Sequence, residues 1–415
     1  MISEIEKLRI LDNEFQKFHQ KSLPLCAAEN VVSDFVKWPL ISGYQERYIM
    51  GSAYDFSMND NFIGASLLYP YYQMIADLGK ELFHAKYTDV RTLTGMNAAN
   101  MLASALIKPG DNIMILGKEW GGHASMKPTF ERLGATVFEA PYLLENYDFD
   151  YDKLNKEIKD KNIKFLNIAP SDILFEHNFE KIDDSNCIIL FDYSQTLGMI
   201  AAGLIKNPLD KMKNAILFGG THKTMPGPAH GIIMTNNEEL FKIIDKEINP
   251  KYLRNIQTHQ VISLLCTLIE MKYHGVEYQT NTIRMANALG KELELLGLKV
   301  VNQNGVYTQT HQLFLEMSKE KMETMFNNAI AEHITLNTKK KPLFHTGYGI
   351  RLGLQEISRY NWNDDTLHNI AEIIFEISKE KYSKEKITNL MNKLPEKKIC
   401  FTFDSNYWKE ILCLA

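Results

Sequence analysis

Between residues 95 and 236 the chain alternates short apolar runs with stretches of mixed polarity. The runs are NIMILG (112–117), ATVFEA (135–140), KFLNIA (164–169), CIILFDY (187–193), NAILFGG (214–220) and GIIMTN (231–236). Each has strand length, and their nearly continuous apolar character reads as strands covered on both faces. Amphipathic segments such as 152–159 separate several of them. That order predicts helical crossovers and an α/β domain built on a mainly parallel sheet.

A helical pattern follows from about residue 256 to 296. Beyond it, LKVVN, THQLFLEM, ITLN and GIRLGL read as strands interleaved with two helical segments, which predicts a smaller α+β domain. The first 35 or so residues read as a helical arm. The expected division is an arm over 1–35, a large domain over 36–275 and a small C-terminal domain over 276–415. The run Lys339 to Lys341 reads as a solvated loop.

Composition narrows the function classes. The 415 residues are 45% hydrophobic and 23% charged, close to average globular usage. Forty-six basic against 51 acidic side chains leave a formal charge of −5, without the basic excess expected of a nucleic-acid binder. No apolar run reaches the roughly 18 residues that would span a bilayer. The N-terminal twenty residues lack the apolar core of a secretory signal. The five cysteines are scattered and form no CxxC pair, so neither a disulfide framework nor a structural metal site is expected, and a cytoplasmic location is.

The chemistry concentrates where the apolar runs end. Lys223 lies just past NAILFGG in the segment Gly220-Thr221-His222-Lys223-Thr224. A lysine in that position is either an exposed loop residue or a partly desolvated amine able to attack an aldehyde. Asp192 closes CIILFD; it is either a helix cap or, at the carboxyl end of a parallel strand, a partner for a pyridine nitrogen. Thr94-Gly95-Met96 opens an apolar helix, a start that seats a phosphate on free amides. His123 follows two glycines after NIMILG, where an imidazole could stack on a flat ring. Arg351 sits amid apolar residues, and its fork suits either a carboxylate ligand or a salt bridge between domains.

In this order the pieces resemble fold-type I pyridoxal-phosphate enzymes, and the wording is closest to serine hydroxymethyltransferase. Leu25-Cys26-Ala27-Ala28-Glu29-Asn30 is similar to the family's Ile-Ala-Ser-Glu-Asn. The stretch Asp192 to Gly203, then Asn207-Pro208, Thr221-His222-Lys223-Thr224, Gly227-Pro228 and Gly349-Ile350-Arg351-Leu352-Gly353 also match the family's wording. The resemblance implies a large domain with a mostly parallel seven-stranded sheet, a small C-terminal domain and a homodimer with shared sites. It implies pyridoxal 5'-phosphate held by Lys223, Asp192, His123, Thr94, Gly95 and Met96, with Ser171, Gln195 and His222 as further contacts. It assigns the amino-acid substrate to Arg351, Tyr48 and Glu29.

The departures from the family carry as much meaning. Met50 stands where the family has a glutamate, two residues after Tyr48, and a thioether can handle no proton. Ser52 to Met58 replaces a stretch linked to folate, and the glycine-rich loop of the family is replaced by Pro250 to Asn255, with Lys251 or Arg254 as substitute charges. Gln195 replaces a histidine. The expected activity is therefore aldol or transaldol chemistry on a serine- or threonine-type substrate, with tetrahydrofolate doubtful. A folate-dependent hydroxymethyltransferase, an aminotransferase and a non-catalytic homologue remain the alternatives.

Overall fold

The computed structural model describes residues 3–54 and 62–414. Seven strands form the main sheet: β1 (Tyr87–Asp89), β2 (Asn112–Ile115), β3 (Thr136–Glu139), β4 (Phe165–Ile168), β5 (Ile188–Asp192), β6 (Ala215–Gly220) and β7 (Gly231–Thr235). Their order across the sheet is β1-β7-β6-β5-β4-β2-β3. The five strands from β2 to β6 pair in parallel, and β7 runs antiparallel between β6 and β1. Every apolar run of the sequence supplies one of these strands. The helix Gly95–Leu106 covers one face, with Ala98, Ala99 and Leu102 buried in one cluster with Ile216, Phe218 and Ile233. Small alanine side chains let the helix lie close to the sheet, which fixes its N-terminus against the strand ends.

The chain divides into two compact units: residues 28–280 with 401–415, and residues 1–27 with 281–400. This differs from the expected division at 35 and 275. The helix Ser3–Lys21 has no buried residue, but Leu23–Pro24 pairs with Ile334–Thr335, which ties the arm to the smaller unit. Residues 28–35 belong instead with the sheet, where Phe35 packs against Trp408. The helix Thr258–Leu295 runs from one unit into the other.

In the smaller unit, β8 (Gln312–Glu316), β9 (Asn337–Lys340) and β10 (Tyr348–Gly353) form an antiparallel sheet with β10 central. Lys339 and Lys340 lie on edge strand β9 and not in a solvated loop. Charged side chains on an edge are a common guard against further strand pairing. Residues 298–302 make a single bridge, Val300 to Leu315, where a strand was expected. Among the described residues no helix is long and apolar enough to cross a membrane.

Candidate active site

Lys223 follows the last residue of β6 by three positions, in a loop pinned from several sides. The Thr221 hydroxyl donates to the Pro228 carbonyl at 2.7 Å, and the Thr224 hydroxyl donates to the Gln195 carbonyl at 2.8 Å. The Asn30 side-chain amide donates to the Lys223 carbonyl and, at 2.9 Å, to the Tyr278 hydroxyl. Gln279 Nε2 donates to the Thr224 carbonyl at 2.7 Å. Each turn of backbone around the lysine is therefore fixed before any ligand binds. The neighbouring His222 imidazole is held below its ordinary proton affinity, first by burial and then by the charge of Lys223. Its Nδ1 is buried without a hydrogen-bond partner among the described residues.

Asp192 ends β5, next to β6 in the parallel sheet, so its carboxylate and the Lys223 loop share the carboxyl edge. It is 7% exposed. Ser194 donates to its Oδ1 twice, from Oγ at 2.5 Å and from the backbone amide at 3.1 Å. Among the described residues no hydrogen bond reaches Oδ2. Ser194 Oγ also accepts the Gly220 amide at 2.8 Å, which joins the ends of β5 and β6.

Helix Gly95–Leu106 begins against the same edge. Thr94 caps it by accepting the Asn97 amide at 3.0 Å, and Asn97 Oδ1 accepts the Leu93 amide at 2.9 Å. The pair satisfies two donors in the manner of a capping box. A Cβ on Gly95 would lie 2.5 Å from the Gly220 nitrogen, so only glycine allows this approach of helix start to strand end. The loops after β2 and β4 lock together beside it. The His123 amide donates to the Ala169 carbonyl and the Ser171 amide to the Gly121 carbonyl, both at 2.8 Å.

These elements enclose a cleft of about 200 Å³. Thr94, Gly95, Met96, His123, Ser171, Asp192, His222 and Lys223 all line it. Gln195 does not; it is buried, and its carbonyl holds Thr224. Ala169, Pro170, Ser194 and Gly220 complete the lining and were not foreseen. Ser194 had a readable signal, because a serine two residues after a strand-ending aspartate favours a turn closed on its carboxylate.

The other expected residues lie elsewhere. Tyr48 packs against Phe62 with ring centroids 4.4 Å apart and planes tilted by 31°, and lines a separate, larger recess of the same unit. Glu29 is exposed. Arg351 belongs to the smaller unit, on β10, and donates to Asn337 Oδ1 at 2.7 Å. Lys251 is ion-paired with Glu247. Of the Ser52 to Met58 stretch, Ser52 to Tyr54 are described, and Asp55 to Met58 lie outside the described residues. The described part is anchored: Asp245 accepts Ser52 Oγ and the Ala53 amide at 2.7 Å each and pairs with buried Arg91 at 2.8 Å. No cluster of three or more metal-ligating side chains occurs among the described residues.

The cleft fits pyridoxal phosphate on three observations. Among the described residues Asp192 Oδ2 accepts no hydrogen bond and buried His222 Nδ1 has no partner, and the glycine contact keeps the amides of the helix start free of side chains. An anion at a helix start is stabilised by those amides and the helix dipole.

The family model described as serine hydroxymethyltransferase matches residues 2–374. A serine hydroxymethyltransferase of Methanocella arvoryzae is 29% identical, covering 94% of this chain and 95% of its own. One from Sulfolobus acidocaldarius is 27% identical, covering 96% and 95%. The crystal structure of L-threonine transaldolase from Pseudomonas fluorescens superimposes with a TM-score of 0.90 at 23% identity, over 99% of this chain and 96% of that one.

Proposed function

Because this chain belongs to the serine hydroxymethyltransferase family, we propose that it uses pyridoxal phosphate to make or break the Cα–Cβ bond of a β-hydroxy-α-amino acid without tetrahydrofolate. One observation carries the folate-free part: the Lys223, Asp192 and His123 cleft is complete, while Met50 stands at the glutamate of the family motif. A thioether neither donates nor accepts a proton, so the proton handling assigned to that glutamate has no agent at this position. The name of the structural neighbour, a threonine transaldolase, falls in the same class of bond chemistry.

When bound, the cofactor supplies an electron sink for the carbon left by bond cleavage. The chain's own residues prepare for that. The Lys223 amine holds the cofactor aldehyde, and its pinned backbone limits where that amine can travel. Asp192, its Oδ1 already engaged by Ser194, keeps a proton on the ring nitrogen through Oδ2. His123, which lines the cleft, would stack on the ring. The Thr94 hydroxyl and the Gly95 and Met96 amides would take the phosphate, Ser171 and His222 would complete the cofactor's surroundings, and Gln195 would act from behind the lysine loop through its carbonyl bond to Thr224.

Arg351 is assigned the substrate carboxylate by its motif, which suits the fork of its guanidinium. Tyr48 and Glu29 are assigned to the substrate side of the site. A homodimer that shares its sites and a cytoplasmic location complete the reading, the latter supported by five cysteines without disulfides.

Borohydride reduction of the protein with pyridoxal phosphate tests the lysine assignment. Peptide mass mapping should find the phosphopyridoxyl group on Lys223. A label spread over surface lysines would overturn it.

A further inference from the structure

The carbonyls of Lys223 and Thr224 are held by consecutive positions of one helix. Gln279 donates directly to Thr224, and Tyr278 reaches Lys223 through Asn30. Tyr278 is 1% exposed, and its ring packs against Phe401 with centroids 5.9 Å apart. Thr402 donates to buried Glu270, which also accepts the Ser33 hydroxyl at 2.5 Å. Phe403 packs on Phe35 at 5.3 Å and on His274 at 5.0 Å, and Trp408 packs on Phe35 at 5.6 Å. Residues 401–414 therefore grip both the segment that carries Asn30 and the helix that carries Tyr278. Nothing in the family match assigns this tail, because the match ends at residue 374.

We propose that the segment 401–414 is a strap that positions Lys223, acting through Phe401, Tyr278 and Asn30. The proposal rests on the reading of Lys223 as the cofactor lysine. Asn30 has two acceptors to satisfy with one amide nitrogen, so its placement depends on Tyr278 as much as on the lysine backbone. Tyr278 in turn is seated by the Phe401 ring. Loosening the strap frees the Lys223 carbonyl and, with it, the start of the lysine side chain. Phe401 and Tyr278 are positioning residues, since they act on the amine only through others.

The test uses the full chain with Phe401→Ala, Tyr278→Phe and, as a control at an exposed position of the same tail, Glu410→Gln. Amide hydrogen exchange at Thr221 and Gly227, whose amides donate to the His230 and Thr221 carbonyls at the two ends of the lysine loop, should rise by about tenfold in the first two, because the loop opens more readily once the hold on the Lys223 carbonyl is lost. The pH midpoint of the visible band of lysine-bound cofactor should move in the same two. Phe401→Tyr, which keeps the ring, should restore both readings, and Glu410→Gln should change neither. Unchanged exchange and midpoint in folded Phe401→Ala and Tyr278→Phe would overturn the strap, as would faster exchange spread evenly over the sheet. Exchange is read without added cofactor. A parent protein lacking the visible band therefore overturns the lysine reading, while the strap is still judged by exchange.

Discussion

Ser194 Oγ donates to the Asp192 carboxylate at 2.5 Å and, through the same atom, accepts the Gly220 amide at 2.8 Å. One hydroxyl thus fixes the carboxylate to the strand that leads to Lys223. Ser194→Ala removes the bond to Oδ1 and leaves a buried amide unpaired, a change worth about 1–3 kcal/mol. Turnover should fall roughly tenfold while the cofactor remains bound. Steady-state kinetics beside cofactor titration check this; unaltered kinetics would show the bond to be structural only.

Gly95 meets Gly220 backbone to backbone. Gly95→Ala places a Cβ 2.5 Å from the Gly220 nitrogen, against an atom that cannot swing aside. Overpacking of this kind costs about 1–3 kcal/mol, and the shift it forces displaces the amides that receive the phosphate. Cofactor affinity should drop more than stability does. Equal cofactor affinity in Gly95→Ala and the parent would remove the helix start from the phosphate site.

Buried histidines give the fold a pH dependence. Burial pushes His177 down to about 4, from an ordinary value of 6.5, and lowers His222 and His230 as well. The folded state therefore binds fewer protons than the unfolded chain below pH 6.5, so stability rises with pH through that window and levels off above it. His177 alone should cost about 2 kcal/mol between pH 6.5 and 5. Urea unfolding at those two pH values, with His177→Gln for comparison, measures it. A parent and variant with equal pH dependence would show that His177 finds a proton partner in the folded state.

How far the sequence could be read depends on whether a feature is local. The strand runs ending at Asp192 and Gly220 were legible because covering a strand on both faces forces an unbroken apolar string. The edge strand Tyr87–Asp89 was not, having three residues and no such string. The direction of β7 was equally hidden, since GIIMTN pairs as well antiparallel as parallel. Lys223, Asp192 and His123 announced themselves by position, whereas Ser194 works through a turn whose importance appears only once Gly220 is beside it. The joining of Phe401 and Trp408 to residues 28–38 and the long helix depends on contacts between the two ends of the sequence, which no local pattern records. Met50 was legible only as a departure from a motif.

Aldehyde release from serine and threonine, followed without tetrahydrofolate and with it, tests the central claim most directly. The account predicts release without the folate, little change when it is added, and loss in Lys223→Ala. Release that requires tetrahydrofolate, or that survives Lys223→Ala, would contradict it.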